Sequence, residues 1–413
     1  GAEHRVPALG PGSRVTFVPL RTRRDGDEWL VGCPERGLAV AMPPVGVRAV
    51  ELLDTGRTVA EASAELTAEV GEEHDVGGFA RELAETGLVA AVDGARVPPP
   101  ETRRATFPWL RPGHVRFMLS PWLPVVAAAV VAAAVAVLAA HPAYAPSYRR
   151  LLWTPDGALV LGTSVAAGWL LALVHECAHM LAARAIGVPS RISLGTRLQF
   201  LVVQTDMSGI EVAPRRHRLT AYLAGVGTNL VVAAGATLLL PVTDPAGVAH
   251  RIAAAVAVLA LMPLAFECMV FMRTDGFFVL EDLTGCRDLH HDGAAYVQYL
   301  LRSAFAWVRP GGSVRPGDPT VRLRGRERKA VRAYAVVLTL GTLACLAVLV
   351  TVALPVDVTL LTQSAQRIIA ARSPGDVANA AVVIVALVGV QVLWCVTWWR
   401  RRKARQRAGQ SFG

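Results

Sequence analysis

The sequence predicts a polytopic α-helical membrane protein of about six transmembrane helices, preceded by an N-terminal α+β, winged-helix-like cytoplasmic domain. Three observations lead there. Hydrophobic residues make up 53% of the chain and charged residues 18%, with a mean hydropathy of +0.41, whereas soluble domains carry about 25% charge. Six apolar runs are long enough to cross about 30 Å of hydrocarbon at about 1.5 Å per residue. The first hundred residues are polar, and their periodicity passes from short strands to helices and back.

The apolar runs are Pro121 to Ala140, Leu159 to Ile186, Leu219 to Leu240, Ile252 to Met272, Ala333 to Leu354 and Val377 to Trp399. Basic residues orient them, because cytoplasmic loops are enriched in Arg and Lys. Arg191, Arg197, Arg215, Arg216 and Arg218 lie between the second and third runs, eleven Arg or Lys lie between the fourth and fifth, and the tail holds Arg400 to Arg402, Lys403, Arg405 and Arg407. The alternate loops hold Arg149, Arg150, Arg251, Arg367 and Arg372. Both termini are therefore expected in the cytoplasm. The net charge of +10 is explained by juxtamembrane segments that set topology and meet the anionic lipid bilayer, so no nucleic acid is expected as a partner. Only two of the 42 basic residues are lysines, a bias that points to a GC-rich bacterial genome and a bacterial cytoplasmic membrane. Cys33, Cys177, Cys268, Cys286, Cys345 and Cys395 have no pairing or zinc-ribbon spacing and read as small apolar residues in a reducing compartment.

Residues 1–97 read as one small domain with no cleavable signal peptide. Strands are expected at Val15 to Leu20, Trp29 to Cys33 and Leu38 to Ala41, and helices at Val45 to Leu53, Val59 to Val70 and Val76 to Glu85. Thr58-x-x-Glu61 is a capping box for the second helix, and Gly87 is placed to end the third in a left-handed cap. Residues 98–120, rich in Pro and Arg, read as a stiff linker, with Phe107, Trp109 and Trp122 as interfacial anchors. Residues 121–400 form the membrane domain, with its core at 159–288, and 401–413 are a basic tail.

Within the second run stands His175-Glu176-Cys177-Ala178-His179. Helix positions four apart share a face, so both imidazoles can hold one Zn²⁺ while Glu176 reaches a water. From Leu159, His175 lies about 24 Å and His179 about 30 Å along the helix, near its cytoplasmic end. A catalytic zinc needs a third protein ligand, often a carboxylate, and Asp275 in Met272-Arg273-Thr274-Asp275-Gly276-Phe277-Phe278 supplies one at the same membrane face. Two histidines with a glutamate between them in lipid are costly without a purpose. Asp275 has other possible uses, pairing with Arg273 or capping a helix. Glu267 reads as a proton relay, a substrate contact or a polar contact between helices. Ile192 to Leu194, Leu198 to Gln204 and Ile210 to Val212 look like short strands, Thr205 and Asp206 like turn residues, and His217, His290 and His291 like solvated loop residues.

These motifs resemble the site-2 protease family of intramembrane zinc metalloproteases from about Leu159 to Asp288. The resemblance implies His175, His179 and Asp275 as zinc ligands and Glu176 as the general base of a zinc metalloendopeptidase. Gly225-Val226-Gly227-Thr228-Asn229 is similar to the family's G-x-x-x-N pattern, which implies that Asn229 orients the scissile strand or stabilises the oxyanion; an interhelical hydrogen bond is its other reading. The chain departs from the pattern at Glu267 and Val270, where Asn and Pro are common, and at Val226, where Pro is common. Arg273 to Phe278 suits the branch of peptide zinc metalloproteases, some of them fused to PqqD-like domains. Ala49 to Glu61 and Phe79 to Val89 resemble that PqqD-like family of leader-peptide recognition domains. The joint resemblance implies removal of the leader of a ribosomally synthesised, post-translationally modified precursor peptide, gripped as an added edge strand. Regulated cleavage of a membrane-bound signalling protein and non-proteolytic peptide export or immunity are the alternatives. Oligomeric state is not legible.

Overall fold

A computed structural model of the chain describes residues 8–25, 28–99, 105–151, 157–197, 200–286, 288–308, 317–348, 350 and 354–369, with parts of 374–399. The N-terminal domain runs β1 (Val15–Phe17), β2 (Arg21–Asp25), β3 (Glu28–Cys33), β4 (Leu38–Met42), α1 (Pro44–Asp54), α2 (Val59–Val70), α3 (Val76–Thr86), β5 (Val89–Val92) and β6 (Ala95–Arg96). Two antiparallel sheets, ordered β1-β5-β6 and β2-β3-β4, flank the helices. Local chemistry sets the boundaries as expected. The Thr58 hydroxyl accepts from the Glu61 amide and the Glu61 carboxylate accepts from the Thr58 amide at the start of α2, while Gly87 at φ +90° closes α3. Val31, Leu52, Leu53, Leu66, Leu83 and Val89 form the buried centre. The strand expected to run to Leu20 stops at Phe17, and a separate strand, β2, follows.

Among the described residues, five helical segments are long and apolar enough to cross a membrane: Trp122–Ala140, Gly162–Ile186, Arg215–Val242, Val248–Glu267 and Gly325–Ala347. They lie in α4 (Trp122–Ala140), α5 (Gly157–Ile186), α6 (Arg215–Leu239, extended by a 3-10 turn), α7 (Val248–Glu267) and, after two shorter helices, α10 (Gly325–Val348). This is compatible with a multi-pass membrane protein. Helix α6 sits against α4, α5 and α7, and its buried Ala221, Gly225, Ala233, Ala234 and Ala236, with Ala253, Ala254, Ala257 and Ala260 of α7, let the backbones approach closely. In α4 only Ala134 is buried.

Several boundaries differ from the sequence reading. The fourth run ends as a helix at Glu267, not Met272; the chain turns at 268–274 and restarts as α8 (Asp275–Thr284), followed by α9 (Leu289–Val308). The fifth helix begins at Gly325, eight residues before Ala333, because its charged first turns continue the helix beyond the apolar stretch. Helix α11 (Leu354–Ile369) had no counterpart among the expectations. The sixth run, Val377 to Trp399, lies only partly within the described residues, and the basic tail lies outside them. Residues 112–119 of the expected linker form a 3-10 helix that packs on α5 and buries Val115 and Met118. Between α5 and α6, β7 (Arg191–Arg197) and β8 (Phe200–Asp206) form an antiparallel hairpin, while Ile210–Val212 is a 3-10 turn rather than a strand. By chain order the N-terminal domain, the hairpin and α8 share one end of the bundle.

Candidate metal centre

Helix α5 places His175 and His179 one turn apart with ring centroids 4.8 Å from each other, both buried. The break after Glu267 swings α8 so that Asp275 at its first turn meets them. Oδ2 of Asp275 is 3.1 Å from His175 Nε2 and 2.7 Å from His179 Nε2, and the two Nε2 atoms are 3.1 Å apart. Ligands around one tetrahedral ion at about 2.0–2.1 Å stand about 3.3 Å from one another, so this triad has the spacing a single ion requires. It is the group of three or more such side chains found among the described residues.

The surroundings aim these atoms. His179 Nδ1 donates to the Ala221 carbonyl at 2.7 Å, which leaves the Nε2 lone pair free for a metal. His175 Nδ1 is buried and lacks a hydrogen-bond partner among the described residues. Helix α6 crosses at Gly225, where a Cβ would overlap Nε2 of both histidines; only glycine admits the cluster. Two imidazoles and one carboxylate, with the tautomer of one ring set by a carbonyl, form a donor set suited to zinc among other divalent ions.

Asp275 is neither paired with Arg273 nor used as a helix cap. The Arg273 guanidinium lies 5.9 Å from the Phe278 ring, and Thr274 holds the N-cap position of α8. Glu267 accepts from the Asp275 amide at 2.7 Å, and its carbonyl accepts from the Thr274 hydroxyl at 3.0 Å, so it braces the turn before Asp275. Asn229 is 1% exposed, one turn beyond Gly225 on the same stripe of α6, and neither amide atom has a hydrogen-bond partner among the described residues. No hydrogen bond joins it to the triad.

No family model, curated protein or solved structure matches the chain. Geometry and chemistry alone therefore carry the functional argument.

Two residues escaped the sequence reading. Thr205 is in β8, not in a turn, and its hydroxyl lies 2.7 Å from Glu176 Oε2 and 3.0 Å from the Glu176 carbonyl. Arg218, buried at the start of α6, binds both carboxylate oxygens of Asp282 on α8 and donates to the Ala213 carbonyl at 2.7 Å. His290 is also no loop residue: it belongs to α9, with its ring 6.1 Å from Phe277 and 6.3 Å from Tyr334. The signal for Thr205 was the β-branched pair Val202-Val203 before it.

Proposed function

We propose that this chain is an intramembrane zinc endopeptidase of the bacterial cytoplasmic membrane, with both termini cytoplasmic, that cleaves the leader of a ribosomally synthesised precursor peptide captured by its N-terminal domain. The observation that carries this reading is the meeting of His175, His179 and Asp275 from two separate helices, with Glu176 next to His175 in the chain. Such a donor set leaves a fourth position open. A bound zinc would supply Lewis acidity toward water and toward the scissile carbonyl. Glu176 takes a proton from the attacking water and returns it to the leaving amine, a role that a structural metal site would not need. Asn229, with its amide unspent, is suited to hold the peptide carbonyl.

Leader capture draws support from the N-terminal domain. Strand β4 is an edge of its sheet, and beside it a groove of about 200 Å³ is lined by Pro43, Val45, Ala49, Leu66, Val76 and Phe79, among others. An extended peptide would gain backbone hydrogen bonds from the edge and selectivity from the groove.

The test is zinc content and proteolysis of the detergent-purified protein. Wild type should hold about one zinc per chain, Asp275→Ala should lose it, and Glu176→Gln should keep it while cleavage falls by about 10²–10⁴-fold. A well-folded wild type without zinc rejects the reading. Phe79→Ala should slow cleavage of a leader-bearing precursor and spare a short leaderless peptide; equal loss on both rejects leader capture.

A further inference from the structure

We infer that Thr205 is a positioning residue for Glu176, and that the hairpin carrying it is anchored to the segment joining the two domains. This rests on Glu176 being the general base. A glutamate has three side-chain torsions, and one that must face a water needs something to hold it. The Thr205 hydroxyl donates to Oε2 at 2.7 Å, a charge-assisted contact stronger than a neutral one, and does not engage Oε1. The same proton is shared with the Glu176 carbonyl, 3.0 Å away, and this forked contact keeps the hydroxyl close to the helix. Thr205 is β-branched and lies in a strand, so its own rotamer is restricted.

The hairpin is itself held from the far side. Thr205 stands opposite Ile192 in the ladder. The Ile192 amide donates to the Thr106 hydroxyl at 3.0 Å, the Thr106 amide donates to the Ser190 carbonyl at 3.1 Å, and Arg184 donates to the Thr106 carbonyl at 3.0 Å. Every hydrogen-bonding group of Thr106 is thereby spent on β7, the residues just before it, or the end of α5. The inter-domain segment is thus bonded to β7, β7 is paired with β8, and β8 carries the hydroxyl that meets Glu176.

Thr205→Val removes the donor at nearly constant volume, and Thr205→Ser restores it. With dye-quenched unfolded casein as the probe, Thr205→Val should lose roughly 10–100-fold in kcat, the range seen when groups that orient active-site residues are removed. KM and zinc content should stay at wild-type values, and Thr205→Ser should recover most of the loss. A readout independent of turnover is carbodiimide labelling of Glu176 followed by mass spectrometry. Labelling should speed up in Thr205→Val and return toward wild type in Thr205→Ser. Unchanged kcat and labelling in Thr205→Val overturn the inference, as does a change confined to KM or zinc content. A wild type that binds no zinc and cleaves nothing defeats the peptidase reading instead, and the labelling arm still decides whether Thr205 holds Glu176.

Discussion

The absent side chain at position 225 matters as much to this centre as the three that converge on it. Helix α6 can lie against both imidazoles only because nothing projects from Gly225. Gly225→Ala should therefore lower zinc affinity by roughly 10–100-fold, measured by chelator competition. Gly227, two positions on, has open space around it, so Gly227→Ala should leave affinity unchanged and serve as the control. Equal affinity in both variants would mean that α6 does not press on the histidines. The histidine pair and Glu176 were readable in the sequence because a helix converts spacing into a shared face. Asp275 was readable because a carboxylate stood at the matching depth on another run. Thr205 was not, since its partner is 29 residues away and no local pattern records a contact between strand and helix.

At the scale of elements, the N-terminal helices and the strands β3 and β4 followed their local signals closely, because caps, glycines and alternation are all short-range, while β1 stopped short and β2, β5 and β6 were not foreseen. Hydropathy found the apolar helices and placed both ends of α4 and the last residue of α5, but not the end of α7 or the start of α10. Glu267 ends α7 within a stretch that hydropathy reads as continuous to Met272, and what stops the helix is the bracing of Thr274 and Asp275 by Glu267. That turn lets a helix after the fourth span carry a ligand back to the second. Helix α8 is tied to α6 by the Arg218–Asp282 pair, whose side chains are 5% and 8% exposed. Removing one partner of a buried pair strands the other charge. Asp282→Ala should thus cost roughly 3–5 kcal/mol, whereas an apolar replacement of both residues should recover most of it. Thermal unfolding in detergent measures this; a midpoint unmoved by Asp282→Ala would show that the pair does not brace α8.

Across the whole molecule, the N-terminal domain rests on the end of the bundle that holds the candidate metal centre. Gly37 and Gly209, both at positive φ, meet so closely that a Cβ on Gly209 would strike the Gly37 backbone. Beside this contact a cavity of about 320 Å³ is lined by Arg23 and Asp25 from the domain and by Arg215, Tyr222, Glu281 and Asp282 from the bundle, among others. Burial is the main cause that pushes the Glu281 carboxyl up to about 7 from 4.5. Between those values the folded protein binds more protons than the unfolded chain, so stability should fall as pH rises from about 4.5 to 7 and stay lower above it. Thermal midpoints across that window should show the decline in wild type and a flatter profile in Glu281→Gln; parallel profiles would rule out Glu281 as its source. Composition announced two regions, but the seam between them depends on backbone approach and was not legible.

The anchoring of Thr106 gives the seam one more consequence. The domain meets the bundle at Gly37 against the 207–209 turn, and the segment that follows it is held at Thr106 against Ser190 and Ile192, so the domain is mounted rather than leashed. On the peptidase reading, a leader seated on β4 would be presented from a set origin. The molecule would then act as a ruler, choosing the scissile bond by its distance along the precursor more than by the residues on either side of it.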